Sequence, residues 1–477
     1  VHIGNYRRKT QAVFLFFVLF LFLCVLRLLF IQFFRSDYLV SIAKKQHNLF
    51  VELEPRRGTI YDRDNKPLAV NISVDSLYAC PIGMSVKDKA SAIKQISSIL
   101  KINRELLRDK LSRKKYFVWI ARKIDPSQAE RIRALKLKGI DFIKESKRCY
   151  PNSYLGAHVL GFAGLDNSGL EGLELYYDRF LKGKPGWALF LRDARQKKLN
   201  LWEKMIPPQD GFDLVLTIDE VIQYIAEREL EKVVKTYHAK GASIVVLNPH
   251  TGEVLALANR PTFDLNQYQP SAKDSRRNRA ITDVFEPGSV FKIVTASGAL
   301  EEKKVVEEDR IFCENGAYKV ASHILHDHTP HGWLTFREVV EQSSNIGTCK
   351  VAQMLGNEVF YKYIKLFGFG NKTGIDLPGE VAGVAYPPSR WSKVSIANIP
   401  MGQGISVTAL QLANEISIIA NGGQLMKPFI VRQIRDGYGE TIKEFTPVAT
   451  NKVMSTDTAN RIKKILVGVI EEGTGKM

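Results

Sequence analysis

A chain of 477 residues that is 45% hydrophobic and 25% charged is a folded protein rather than a disordered one, with room for about three domains. Its formal charge of +18 does not mark a nucleic-acid binder: the basic residues are spread widely, are densest between Lys87 and Arg148, and form no nucleic-acid module, so a solvated basic face or attraction to an anionic membrane is the better reading. Five cysteines are too few for a disulfide scaffold; Cys24 lies in an apolar run, and Cys80, Cys149, Cys313 and Cys349 permit pairing in an oxidising compartment without demonstrating it.

From Ala12 to Phe34 the chain is almost wholly Phe, Leu, Val and Ile, which is long enough to cross a bilayer as a helix. Arg27, two turns from the end of this run, can snorkel to the headgroups. Arg7, Arg8 and Lys9 flank the N-terminal side, so the positive-inside rule leaves residues 1–11 in the cytoplasm, residues 12–34 in the membrane and everything after residue 35 outside. A cleaved signal peptide is the rival reading, but the apolar run is too long and no small-residue cleavage site follows it.

Val51 to Val70 reads as two extended segments around a turn at Asp64-Asn65. Ser85 and Asp88 form a capping box ahead of a helix with Ile93, Ile96, Ile99 and Leu100 on one face, and Asp125-Pro126 opens a second helix that Gly139 is expected to stop. Residues 35–210 hold no nucleophile beside a base, and are assigned to an elongated α+β pedestal that positions the rest and contacts partners. A second domain, 211–477, begins with a strand at Leu214–Ile218, a helix bearing Ile222, Ala226, Leu230 and Val234 and ending at Gly241, and a hairpin of Ser243–Leu247 and Glu253–Ala258.

Glu286-Pro287-Gly288 then delivers the chain to a helix expected to open at Ser289. Ser289 and Lys292 stand one turn apart on it, a nucleophile with an adjacent base at a helix start whose free N–H groups favour a developing oxyanion. The spacing alone is common, since Ser41/Lys44, Ser91/Lys94 and Ser112/Lys115 share it. Downstream, Thr335 and Glu338 cap a helix that runs into Ser343-Ser344-Asn345, a polar interruption before a further helix from about Cys349 to Leu355. Ser343 suits proton relay and Asn345 suits holding a substrate amide; an ordinary interhelical turn uses the same residue types.

Ser289-x-x-Lys292 followed by Ser343-x-Asn345 resembles the first two motifs of penicillin-binding proteins and serine β-lactamases. Arg57-Gly-Thr-Ile-Tyr-Asp62-Arg63, Gly169-Leu-Glu171-Gly-Leu-Glu174, Glu286-Pro-Gly-Ser-Val-Phe-Lys292 and Gly402-Gln-Gly404-Ile-Ser-Val-Thr408 narrow this to class B penicillin-binding proteins. Leu68-Ala-Val with Leu77-Tyr-Ala-Cys-Pro81, and Arg148-Cys-Tyr-Pro151 leading to Ala157-His-Val-Leu-Gly161, look more like the cell-division transpeptidase than the elongation enzyme. Asn65 stands where the family has glycine.

The resemblance implies an α+β fold with a transpeptidase domain of antiparallel sheet and flanking helices, no cofactor, and a peptidoglycan D,D-transpeptidase that cross-links stem peptides ending in D-Ala-D-Ala and is acylated by β-lactams. It implies catalytic roles for Ser289, Lys292 and Ser343, a substrate-binding role for Asn345, and partners in a membrane-embedded lipid II polymerase and other division proteins. The family's third motif is a Lys-Thr-Gly on the strand beside the nucleophile. Lys372-Thr373-Gly374 spells it, but within a run of Gly and Pro turns; the working motif is expected after Glu472-Gly-Thr-Gly-Lys476, so the chain reads as a fragment ending at Met477 and as impaired. His323, His326, His328 and His331 raise zinc binding, against a loop setting without ordered ligand spacing. The rival functions are an inactive membrane-anchored scaffold of the division machinery and a β-lactam sensor or β-lactamase of the same fold.

Overall fold

The computed structural model describes residues 3–36, 38, 48–115, 117–192 and 198–476. They form two compact units: residues 1–55 with 184–209, and residues 56–183 with 210–477. The Ser41/Lys44 pair and Met477 lie outside the described residues.

In the first unit, helix α1 (Ile3–Phe34) contains a span, Lys9–Phe34, long and apolar enough to cross a membrane. Its Phe and Leu side chains are exposed, as a helix solvated by lipid requires. Strands Asn48–Leu53, Gly186–Arg192 and Lys198–Ile206 make a separate antiparallel sheet with Gly186–Arg192 in the centre.

The second unit is built on a seven-stranded sheet. Strand β1 (Ile60–Tyr61) turns into β2 (Pro67–Ala79) through Asp62–Lys66, where the Asp62 carboxylate accepts the Asp64 and Lys66 N–H groups and Asn65 takes a left-handed φ of 64°. Helices α2 (Val86–Leu100) and α3 (Arg104–Ser112), strand β3 (Val118–Ala121), helix α4 (Pro126–Ala134) and strand β4 (Ile140–Cys149) follow. The Ser85/Asp88 capping box forms as expected. The sequence expectation contains no helix at α3, and α4 stops at Ala134 rather than Gly139; Gly139, at φ +75°, instead makes the close turn against Met84 that leads into β4. Leu77, Ile96, Leu107, Ile120 and Ile132 from these elements share one small core.

Strand β5 (Asp213–Leu216) runs parallel to β1, so the sheet joins chain on both sides of residue 210. Helix α5 (Glu220–Tyr237) ends where His238 adopts φ 50°, three residues before the glycine expected to stop it. Strands β6 (Ala242–Leu247) and β7 (Val254–Arg260) form the expected hairpin. Helix α6 (Lys292–Glu301) is the axis of the largest core cluster: every residue from Lys292 to Leu300 is buried. Around it lie a hairpin of β8 (Ala317–Val320) and β9 (His323–His326), helices α7 (Phe336–Glu341), α8 (Asn345–Leu355) and α9 (Ala409–Ala420), and helix α10 (Thr456–Glu471), while strands β10 (Val431–Arg435) and β11 (Thr441–Glu444) extend the seven-stranded sheet beyond β5. Strand order in the seven-stranded sheet is β11-β10-β5-β1-β2-β3, with β4 also on β2.

Three of the motifs in the first half meet in one buried ion cluster. Glu174, fully buried, receives Arg57 Nε at 2.5 Å, Arg148 Nε at 2.6 Å and the Tyr150 hydroxyl at 3.1 Å, while Arg57 Nη1 reaches Asp178 at 2.6 Å. Burial alone would raise the Glu174 carboxyl, yet Arg148 and Arg57 hold it below its ordinary value. Gly169 is required nearby, since a Cβ there would lie 1.8 Å from the Glu174 carbonyl oxygen. Cys24, Cys80, Cys149, Cys313 and Cys349 are all free thiols.

Candidate active site

The approach to Ser289 is set by two chain segments that clamp each other. Phe285 and Val407 exchange backbone hydrogen bonds of 3.0 and 2.9 Å, Gly288 N–H donates to Gly402 O at 3.2 Å, and Gly404 N–H donates to Glu286 Oε1 at 2.8 Å. Gly402 has no substitute here: at φ +81°, a Cβ would sit 2.2 Å from the Gly288 carbonyl oxygen. The Gly402-Gln-Gly404 sequence is thus the brace of the turn that presents the serine.

The helix does not open as an α-helix at Ser289. Gly288–Phe291 is a 3₁₀ turn, and α6 begins at Lys292. Side chains three apart eclipse in a 3₁₀ turn, which sets Ser289 and Lys292 on one side. The turn also separates their environments: Ser289 is exposed, whereas Lys292 is 3% exposed. Phe291 between them is fully buried and packs on Phe369, ring centroids 5.1 Å apart.

Lys292 Nζ donates to Ser343 O at 2.5 Å, Ser343 Oγ at 2.9 Å and Asn345 Oδ1 at 2.8 Å. All three acceptors are uncharged. Burial therefore pulls the amine down to about 8, with only the field of Asp327 opposing it. Helix α8 starts at Asn345, four residues before the start expected at Cys349, because Ser344 caps it by accepting the Gly347 N–H. Ser343 sits in the left-handed region at φ 53°, a conformation costing a β-carbon residue about 1–3 kcal/mol, and this kink turns both its carbonyl and hydroxyl toward Lys292. Asn345 is oriented from its other end, Nδ2 donating to His326 O at 2.9 Å. The structure thus brings Lys292, Ser343 and Asn345 together, with Ser289 one turn away at the surface.

Lys372-Thr373-Gly374 is elsewhere in character. It lies in irregular chain, the Thr373 N–H and hydroxyl donate to Glu380 Oε1, and Gly374 N–H donates to Glu380 Oε2. Thr474 N–H donates to Glu341 O at 3.2 Å, which seats Glu472–Lys476 beside the end of α7, just ahead of Ser343. Among the described residues no three His, Cys, Asp or Glu side chains converge on a metal-sized site; His323 and His326 sit at opposite ends of β9.

The penicillin-binding protein transpeptidase domain matches residues 242–477, and the penicillin-binding protein dimerisation domain matches residues 52–216. Stage V sporulation protein D of Bacillus subtilis is 38% identical over 98% of this chain and 74% of its own length. Peptidoglycan D,D-transpeptidase FtsI of Escherichia coli K12 is 32% identical over 86% of this chain and 70% of its own. The chain is a class B penicillin-binding protein. As in penicillin-binding protein 3 of Mycobacterium tuberculosis complexed with aztreonam, which superposes at a TM-score of 0.67 with 28% identity over 89% of this chain and 79% of that one, it has a penicillin-binding transpeptidase fold. Within this class B protein, the sequence motifs divide into two structural tasks: the Arg57, Arg148 and Glu174 motifs build the buried ion cluster, and the Glu286, Ser343 and Gly402 motifs build the candidate site around Lys292.

Proposed function

We propose that this protein is a peptidoglycan D,D-transpeptidase of septal wall synthesis that works through an acyl-enzyme on Ser289, and that β-lactams acylate the same hydroxyl. The observation that carries the proposal is Lys292: a buried amine held only by uncharged acceptors, one turn from an exposed serine. With its proton lost near pH 8, about one-tenth of the amine is free base at pH 7.

Neutral Lys292 takes the proton of Ser289 as Oγ attacks the penultimate D-alanine carbonyl, with the Ser289 N–H facing the oxyanion, since the Gly288 N–H is taken by Gly402 O. Lys292 hands that proton to Ser343, whose hydroxyl hydrogen passes to the departing D-alanine nitrogen. The C–N bond breaks and a seryl ester remains. An amine of a neighbouring stem peptide then attacks the ester, its proton returns along the same path, and Ser289 is released. Asn345, fixed by His326 O and Lys292, directs its amide at the substrate backbone or the lysine.

Residues 35–210 serve as the non-catalytic pedestal and 211–477 as the transpeptidase part. The basic residues before the apolar span hold the N-terminus inside, with the catalytic part outside the cytoplasmic membrane. The resemblance to division transpeptidases adds a lipid II polymerase and other division proteins as partners. Lys372 takes no part in the chemistry.

Labelling with a fluorescent penicillin tests the reading: the parent chain becomes covalently labelled and Ser289→Ala does not. Labelling that survives Ser289→Ala contradicts it; full support of division by Ser289→Ala turns the protein into a scaffold, and rapid penicillin hydrolysis turns it into a β-lactamase.

A further inference from the structure

Asp327 lies in the segment set aside above as a histidine-rich loop, yet it touches the site from below. Its Oδ2 accepts the Ser344 hydroxyl at 2.7 Å and its Oδ1 accepts the Ile346 N–H at 3.0 Å. The residue before it, His326, supplies the carbonyl that holds Asn345 Nδ2. One dipeptide at the end of the β8–β9 hairpin therefore grips Ser344, Asn345 and Ile346, the cap and first turn of α8.

The hairpin itself is fixed to the same helix further along. Lys350 Nζ lies over the Tyr318 ring, 4.9 Å from its centroid, and donates to Phe312 O and Glu314 Oε1, both at 2.6 Å, while the Tyr318 hydroxyl reaches Gln353 Oε1 at 3.3 Å. Leu325 is buried in the main core. The grip at residues 326–327 is thus the open end of an anchored hairpin rather than a loose loop.

A carboxylate at a helix N-terminus needs no special cause, because the first-turn N–H groups and the dipole favour it. What sets Asp327 apart is that the two residues flanking Ser344 are Ser343, which is kinked, and Asn345, and both accept from Lys292. If the cap moved, Ser343 could relax from its left-handed conformation and its hydroxyl would leave Lys292.

We propose that Asp327, presented by the β8–β9 hairpin, is a positioning residue for acyl transfer: it locks the Ser343–Ser344–Asn345 turn in the strained form that aims Ser343 and Asn345 at Lys292. This rests on the Ser289–Lys292 reading. Among the described residues, Asp327 is the charged group whose field acts on Lys292, raising the amine against the larger lowering by burial. The other groups facing Nζ, the Ser343 carbonyl and hydroxyl and the Asn345 amide, carry no net charge.

The test uses Asp327→Asn and Asp327→Ala in the full chain, with three readouts: penicillin labelling rate against pH, hydrogen exchange of the Ile346 amide, and the titration of Lys292 followed by NMR with labelled lysine. Asp327→Ala removes both acceptors, so labelling falls by about tenfold to a hundredfold and exchange at Ile346 rises by about tenfold, while α6 stays protected. Asp327→Asn keeps an acceptor and the shape, so labelling at its optimum stays within about threefold of the parent. Its pH midpoint moves to lower pH, because removing a negative charge favours the neutral amine.

Unchanged labelling and exchange in Asp327→Ala overturn the proposal. So does a loss of labelling that only follows the loss of folded protein, with the midpoint unmoved in Asp327→Asn, which would leave Asp327 a plain helix cap. If the parent chain takes no label at all, the Ser289 reading fails first, and the Ile346 exchange together with the Lys292 titration still decide the role of Asp327.

Discussion

Two buried charges in this protein have opposite surroundings. Glu174 is met by Arg57 and Arg148 within 2.6 Å and by the Tyr150 hydroxyl, so its charge is fully compensated and burial makes it inert. Lys292 is buried almost as deeply but is met by a carbonyl, a hydroxyl and an amide oxygen. The first arrangement fixes a fold; breaking such a pair costs more than forming it gains. The second leaves a charge uncompensated and so makes proton loss easy, which is what a base requires. Burial alone does not distinguish structure from chemistry; the charge of the partner does.

Exchanging the buried charges separates the two roles. Lys292→Met is expected to lower the penicillin labelling rate by about 10²–10⁴-fold. It does so without a matching loss of stability: the folded amine holds its proton less tightly than an unfolded lysine, so burying the ammonium costs stability at pH 7, and that cost is relieved as pH rises from about 8 toward the ordinary lysine value. Denaturant unfolding at pH 7 and at a higher pH measures this; a large stability loss in Lys292→Met at pH 7 breaks the comparison.

Glu174→Gln is expected to do the reverse. It leaves two buried guanidinium groups short of a counter-charge and lowers stability by about 3–5 kcal/mol, while the labelling rate per folded molecule is unchanged. The sign with pH also differs from that of Lys292: the Glu174 carboxyl is held below its ordinary value, so its contribution is present above that value and is lost as pH falls through the lowered one.

Smaller effects sharpen the map. Gly402→Ala forces a Cβ against the Gly288 carbonyl, so the turn before Ser289 shifts and labelling falls by about tenfold with Lys292 still titrating near 8. Lys372→Ala leaves labelling unchanged, because that Lys-Thr-Gly run is bound up with Glu380. A rate loss there comparable to that of Lys292→Met would place Lys372 in the site.

What was legible in the sequence was local. The capping boxes at Ser85/Asp88 and Thr335/Glu338 and the turn at Asn65 span a few residues and carry their own hydrogen-bond logic, and all three form. Helix α3 went unseen because its apolar residues, Leu107 and Leu111 facing the core, are set in a run of charges and its Asn103 cap lacks a reciprocal partner. Helix α8 starts earlier than its sequence suggests, because Ser343-Ser344-Asn345 has the composition of a turn while the Ser344 hydroxyl caps the helix by accepting the Gly347 N–H. Ser289, Lys292, Ser343 and Asn345 were legible as motifs, but their mutual geometry was not. The pairing of Arg57 with Glu174 spans 117 residues, and that of Gly404 with Glu286 spans 118, distances over which no periodicity carries information. Asp327 reads as a loop former in the sequence, because its partners, although only 17 and 19 residues on, belong to another element.

Central to the proposed chemistry is Lys292 as a base with a lowered proton affinity. The most direct test is the rate of penicillin labelling of Ser289 measured from about pH 6 to about pH 10, corrected for penicillin hydrolysis. The rate should rise with pH as one proton is lost, with a midpoint at about 8, and Lys292→Met should lose that rise. A rate that is flat across the range, or that climbs only toward the ordinary lysine value, would contradict it.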